Sequence, residues 1–214
     1  MDEEITIIDS NTRNEKIKNF FINNKKNLII GILFIIIGLV GYLTYETLKE
    51  KSKIKLANKF NLITIDYKKN TKQKTINELI NIIKENDITY SPLALYFLLD
   101  NNLIKNSTET NKLFDELIVK TNLDKEIKNL IIYKKALFNS NFVEENDLLQ
   151  ILNPIINSES IWRSHALYLV AEYYYSKNEK QKAKEFFNQI LILKKSNNNI
   201  RLDSQKRINR DFSE

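Results

Sequence analysis

Eighteen consecutive residues, Leu28 to Tyr45, carry no charge and are almost wholly apolar. A helix needs roughly 20 apolar residues to cross a hydrocarbon core, and a lone segment there must be helical to satisfy its own backbone. The run therefore predicts a transmembrane helix over 28–45, preceded by a polar tail over 1–27 and followed by a domain over 46–214. A cleaved secretory signal fits poorly, because such signals open on a short basic region and end at a small-residue site. Here the leader begins with Asp2, Glu3 and Glu4, and Glu46, Thr47 and Leu48 follow the run. The expectation is a retained anchor.

Its direction is not set by charge. Arg13, Lys16, Lys18, Lys25 and Lys26 precede the run, and Lys49, Lys51, Lys53, Lys55 and Lys59 follow it. The positive-inside rule weighs these flanks and finds them equal. Two lesser arguments place the N-terminus inside. Lys25 and Lys26 almost abut the run, and long C-terminal domains translocate largely regardless of charge. Tyr42 and Tyr45 suit one membrane interface, Phe20 and Phe21 the other.

The chain has 3 glycines, and all of them (Gly31, Gly38, Gly41) lie inside the run. They fall within about 80° of one another on a helix, where small residues let a second membrane helix approach. The rest of the chain must turn without glycine, which disfavours β-hairpins and phosphate-cradling loops. Helices joined by short Asn, Ser and Lys turns are the natural solution, and the expected class is all-α. There is no Cys and a single His, His165. Thiolate metal sites, disulfides, His-based metal clusters and Ser-His-Asp triads are therefore not expected, nor is a cofactor, a small-molecule substrate or an enzymatic activity. Net charge is +6, with the excess after the run. Most Lys residues alternate with acids, as on a solvated helix face. A denser set, Lys194, Lys195, Arg201, Lys206, Arg207 and Arg210, offers contact with anionic lipid or an acidic partner. It lacks the interleaved aromatics of a nucleic-acid site.

After the run, Leu48, Ile54, Ala57, Phe60, Leu62 and Ile65 keep helical spacing to about Tyr67, so the membrane helix is expected to pass straight into the domain. Further helices are expected over 75–84, 93–103, 108–118, 127–138, 144–152, 162–176, 179–194 and 202–210. Ser91-Pro92 reads as a helix start, Thr121 with Asp124 as a capping box, and Asn178 with Gln181 as another cap. Pro154 reads as a stop.

The helices pair at about 34-residue intervals, the mark of a stacked repeat. In the clearest pair, Ala171 and Ala183 let two antiparallel helices approach while Tyr174 and Phe187 fill the seam. With Leu167, Val170 and Ile190 at further apolar positions, the segment resembles the tetratricopeptide repeat family. Its small and aromatic motif positions fall on these four residues, although Lys195 stands where the motif has Pro. Earlier pairs match less well: Thr110 replaces the small residue beside Phe114 and Leu98, and Ala136 and Leu149 mark a third. The resemblance implies a tetratricopeptide-repeat-like α-hairpin solenoid. It also implies a partner-binding groove lined by His165, Tyr168, Glu172 and Tyr175.

Tail, span and degenerate repeat domain together resemble the ancillary subunits of the bacterial Sec translocon, most nearly the alphaproteobacterial type. The segment Asn153-Pro154-Ile155-Ile156, then Ser160-Ile161-Trp162-Arg163, then Ala166-Leu167 has that family's pattern. The resemblance implies a single-pass protein of the cell inner membrane, N-terminus cytoplasmic and C-terminal domain periplasmic. Its implied partners are translocon subunits, periplasmic chaperones and exported clients. A structural scaffold subunit of another envelope complex, in cell division or cell-wall assembly, is the alternative.

Overall fold

The computed structural model describes residues 2–67 and 71–212, and all regular structure among them is helical. It divides into two compact units, residues 1–55 and 56–214.

The first unit holds α1 (Asp2–Asn23) and most of α2 (Lys25–Asp66). The tail is thus helical from Asp2. The break between the helices is slight. Asn24 N–H donates to the Phe20 carbonyl at 2.9 Å and the Asn24 carbonyl accepts from Leu28 N–H at 2.9 Å. The Asn24 amide also donates to the Phe20 carbonyl, the local competition that makes Asn a punctuator of helices. α2 is long and apolar enough to cross a membrane, and none of its most apolar stretch is buried. Thr44 and Thr47 donate their hydroxyls to the Val40 and Leu43 carbonyls, so neither leaves a polar group unpaired on this face. As the spacing predicts, the helix does not end at Tyr45 but runs on to Asp66.

The second unit begins with the last turns of α2. It continues through α3 (Lys72–Lys84), α4 (Tyr90–Asp100), α5 (Ser107–Lys120), α6 (Lys125–Asn139) and α7 (Glu145–Ile156). α8 (Arg163–Ser176), α9 (Lys180–Ile192) and α10 (Asn198–Asp211) complete it. Helices adjacent in sequence pack on one another, most closely α8 on α9. Two apolar cores result. One gathers Ile63, Leu79, Leu95, Leu98 and Phe114; the other Leu152, Leu167, Ala171, Ala183 and Phe187. They meet on α6, where Ile131 enters the first and Ile132 the second. Successive helical residues lie about 100° apart, so one helix serves both sides.

Glycine-free turning falls to asparagine. The positive-φ residues described are Asn86, Asn102 and Asn178, at φ 54°, 50° and 62°. Each follows a helix C-cap and takes the left-handed conformation that Asn tolerates best after Gly. After α4, Asn102 N–H donates to the Leu99 carbonyl and Leu103 N–H to that of Leu98; after α8, Asn178 and Glu179 repeat the pattern on Tyr175 and Tyr174. These are Schellman closures, which satisfy otherwise orphaned carbonyls.

Several boundaries differ from the sequence reading. α4 starts at Tyr90, one residue before Ser91-Pro92, because Asp87 accepts from Thr89 N–H and Tyr90 N–H. Ser91 instead spends its hydroxyl on the Ile82 carbonyl, tying α4 to α3 at 2.8 Å. Thr121 ends α5, and Asp124 is the N-cap of α6, without a side-chain bond. Asn178 closes α8, leaving Glu179 as the N-cap of α9. α7 continues past Pro154 to Ile156. The missing N–H costs one bond, to the carbonyl of exposed Gln150, in the helix's last turn. α10 starts four residues early because the Asn197 side chain caps it, accepting from Asn199 and Ile200 N–H.

Candidate partner-binding groove

The α8–α9 hairpin is built as its small residues require. Ala171, Ala183 and Phe187 are fully buried and Tyr174 nearly so. The Tyr174 ring stacks on Phe186 at 5.5 Å, and its hydroxyl donates to Glu145 Oε1 on α7 at 2.6 Å. Lys182 on α9 reaches the same carboxylate at 3.1 Å and Glu179 at 2.7 Å. One acid on α7 thus holds both arms of the next hairpin. The Tyr174 hydroxyl and then the Lys182 ammonium hold the Glu145 carboxyl below its ordinary range.

Of the four residues implied to line a groove, three face α10. The Tyr168 ring meets the Phe187 edge at 5.5 Å, and burial, then the nearby Glu172 charge, pushes its hydroxyl up to about 12. Glu172 accepts from Arg207 Nε at 2.7 Å and from Nη2 at 2.8 Å, a two-pronged pairing that suits the planar guanidinium. Arg207 also lies over the Tyr175 ring, 4.2 Å from its centroid, and Tyr175 meets Phe212 edge-on at 5.9 Å. The chain's own last helix therefore covers Tyr168, Glu172 and Tyr175. His165 stands apart from them. It packs against Trp162 at 5.1 Å and the edge of Tyr133 of α6 at 5.9 Å, while those two rings stack on each other. Burial lowers its pKa from the ordinary 6.5, against the raising effect of the Ile161 backbone.

The closing partners Arg207, Asp211 and Phe212 were not singled out as a group by sequence, where Arg207 and Arg210 count among a free basic set. In the fold Arg207 pairs with Glu172 and Asp211, Arg210 with Asp211 and Lys206 with Asp203. The four-residue interval from Arg207 to Asp211 is a readable signal of a helical ion pair.

A second concavity, about 480 Å³, opens among α5, α6 and α7, lined by Asn111, Lys135, Asn139, Asp147, Gln150 and Ile151 among others. Asn111 and Asn139 exchange amide hydrogen bonds at 2.9 and 2.7 Å, and Lys135 pairs with Asp115 at 2.6 Å. This groove offers amide donors and acceptors in quantity and no activated nucleophile. Among the described residues no group of three or more His, Asp or Glu side chains is placed to hold a metal ion.

On α2, a Cβ built at Gly31, Gly38 or Gly41 meets nothing within 4 Å. The small-residue face is thus not filled by the chain itself. No protein-family model, no curated protein and no solved structure matches the chain.

Proposed function

We propose that this chain is a membrane-tethered protein–protein interaction module. α2 spans the cell inner membrane once with the N-terminus cytoplasmic, and residues 56–214 form a periplasmic α-hairpin solenoid of tetratricopeptide type. It serves as an ancillary subunit of the Sec translocon, bringing exported proteins and periplasmic chaperones together. Support for the tether is that the most apolar stretch of α2 carries no charge on any side and none of it is buried, a surface at rest only in lipid. Gly31, Gly38 and Gly41 then form the face on which a translocon helix packs.

One observation carries the solenoid. Polar contacts between a helix and the second helix after it recur at 33 to 35 residues: Thr121 to Asn86 at 35, Ser160 to Glu126 at 34, Asn197 N–H to Ser164 at 33 and Arg207 to Glu172 at 35. A contact that repeats about every 34 residues is what a stacked helical-pair repeat produces. In this reading α10 caps the α8–α9 hairpin with a largely polar helix, since Ser204 is its only buried residue. Tyr168, Glu172 and Tyr175 belong to the seam under that cap. The open groove beside Asn111, Lys135 and Asn139 is where extended client peptide meets the module.

Photo-crosslinkers placed at Gln150 and at Gly38 in native membranes test this. Recovery of chaperone or client at Gln150 and of translocon subunits at Gly38 is expected. Recovery of neither defeats the assignment.

A further inference from the structure

Where α8 begins and α9 ends, a cleft of about 250 Å³ is lined by Ser160, Arg163, Ile192, Leu193, Lys194 and Lys195, with Glu159. Its charge is uneven. Glu159 answers Arg163 only at 3.7 Å and is largely exposed. Glu126, behind Ser160, is already taken by the Ser160 hydroxyl at 2.6 Å and Ile161 N–H at 3.2 Å. Among the described residues neither Lys194 nor Lys195 pairs with an acid. Arg163 Nε is buried with no acceptor at all. Arg201 adds a further cation alongside, donating to the Leu193 carbonyl while its own Nε is also buried and unpartnered. Buried guanidinium donors without acceptors are costly, and an incoming oxyanion removes that cost.

The cleft is also flanked by bare aliphatic side chains. Ile161 is 62 % exposed and Ile192 is 82 % exposed. A site for free phosphate has no use for them. Cations beside exposed aliphatics are the combination that settles on an anionic bilayer, charges at the phosphates and side chains at the headgroup–acyl boundary. We infer that this cleft is a binding site for the phosphate headgroup of an anionic phospholipid. Arg163, Lys194 and Lys195 hold the headgroup, and Ile161 and Ile192 enter the boundary region. The site rests on the tethered reading, and gives the domain its own contact with the bilayer besides the span.

Trp162, the only tryptophan, lies in the chain between Ile161 and Arg163 and so reports on the depth of this end of α8. The full chain is reconstituted in vesicles of phosphatidylcholine, alone or mixed with phosphatidylglycerol, and Trp162 emission is read while one lipid at a time carries brominated chains. Brominated phosphatidylglycerol is expected to quench several-fold more than brominated phosphatidylcholine at equal mole fraction. A cation near an anionic surface contributes about fivefold in partition. Lys194→Gln should therefore reduce the preference by about that factor, and Arg163→Gln/Lys194→Gln/Lys195→Gln should abolish it while helical circular dichroism is retained. Equal quenching by both lipids in vesicles that carry the protein overturns the site. So does a saturable change in Trp162 emission with inorganic phosphate in pure phosphatidylcholine, which would mark a free-phosphate pocket. Failure of the protein to float with any vesicle counts instead against the tether.

Discussion

Arg207 holds both carboxylate oxygens of Glu172 across the seam between α10 and α8, with its guanidinium face on Tyr175. The Arg207 side chain is 14 % exposed and that of Glu172 36 %. Beyond these contacts α10 adds only half-buried Ile200, Ile208 and Phe212 to the core. Its docking therefore combines this ion pair with a modest apolar contact. Arg207→Ala should destabilise the domain by about 1–2 kcal/mol, the pair and the ring contact together. The double charge swap Glu172→Arg/Arg207→Glu should recover part of it. Urea denaturation of the single and double variants at two salt concentrations measures this, and an unchanged midpoint for Arg207→Ala contradicts it.

Asn178 sits at φ 62° between α8 and α9. Asn178→Ala keeps the Cβ but removes the short polar side chain that lets Asn tolerate the left-handed conformation, and should cost about 1 kcal/mol. Asn178→Gly should be neutral or mildly stabilising. The order Gly ≥ Asn > Ala in denaturant midpoint is the check. Asn above both Gly and Ala would show that the Asn side chain, rather than its backbone tolerance, is what the turn needs.

His165 has a pKa below its unfolded value of 6.5 because burial among Trp162 and Tyr133 disfavours the imidazolium. A depressed folded pKa means that the unfolded chain binds more protons between the two values. Its contribution is complete above pH 6.5 and is lost as pH falls through the folded pKa. Stability should decline from about pH 6.5 downward before any carboxylate titrates. His165→Phe should remove that early decline. A pH series of thermal melts on both proteins decides it.

Ala183 is fully buried against α8. Ala183→Leu forces the closest helix pair apart and should cost about 1–3 kcal/mol or more. Ala183→Ser adds little volume and should cost less. Thermal denaturation of the two variants ranks them, and equal melting points contradict a tight seam.

Much of this fold is legible in the sequence because it is written in spacing. The apolar run and its continuation through Phe60 and Ile65 foretell a single helix from the apolar run to Asp66. The Ala171, Tyr174, Ala183 and Phe187 quartet foretells a seam, and all four side chains are buried there. Helix ends are less legible, since a capping side chain is chosen by three-dimensional competition. Ser91 looks like a cap but is drawn to the Ile82 carbonyl, leaving Asp87 to gather the α4 N–H groups. The covering of Tyr168, Glu172 and Tyr175 is not legible locally. Arg207 and Glu172 lie 35 residues apart, and each alone resembles any solvated charge. Only the near-match of that interval to the 34-residue spacing expected of paired helices hints that they meet.

The most direct test of a domain tethered outside the cytoplasm is topological. A phosphatase that folds only outside the cytoplasm is fused after Glu214, and its activity is assayed in membranes washed with alkaline carbonate. The account predicts an active reporter that stays with the membranes, and its loss from them when Ile36→Arg and Leu39→Arg are introduced into α2. An inactive phosphatase with full activity of a cytoplasmic reporter at the same position would contradict it.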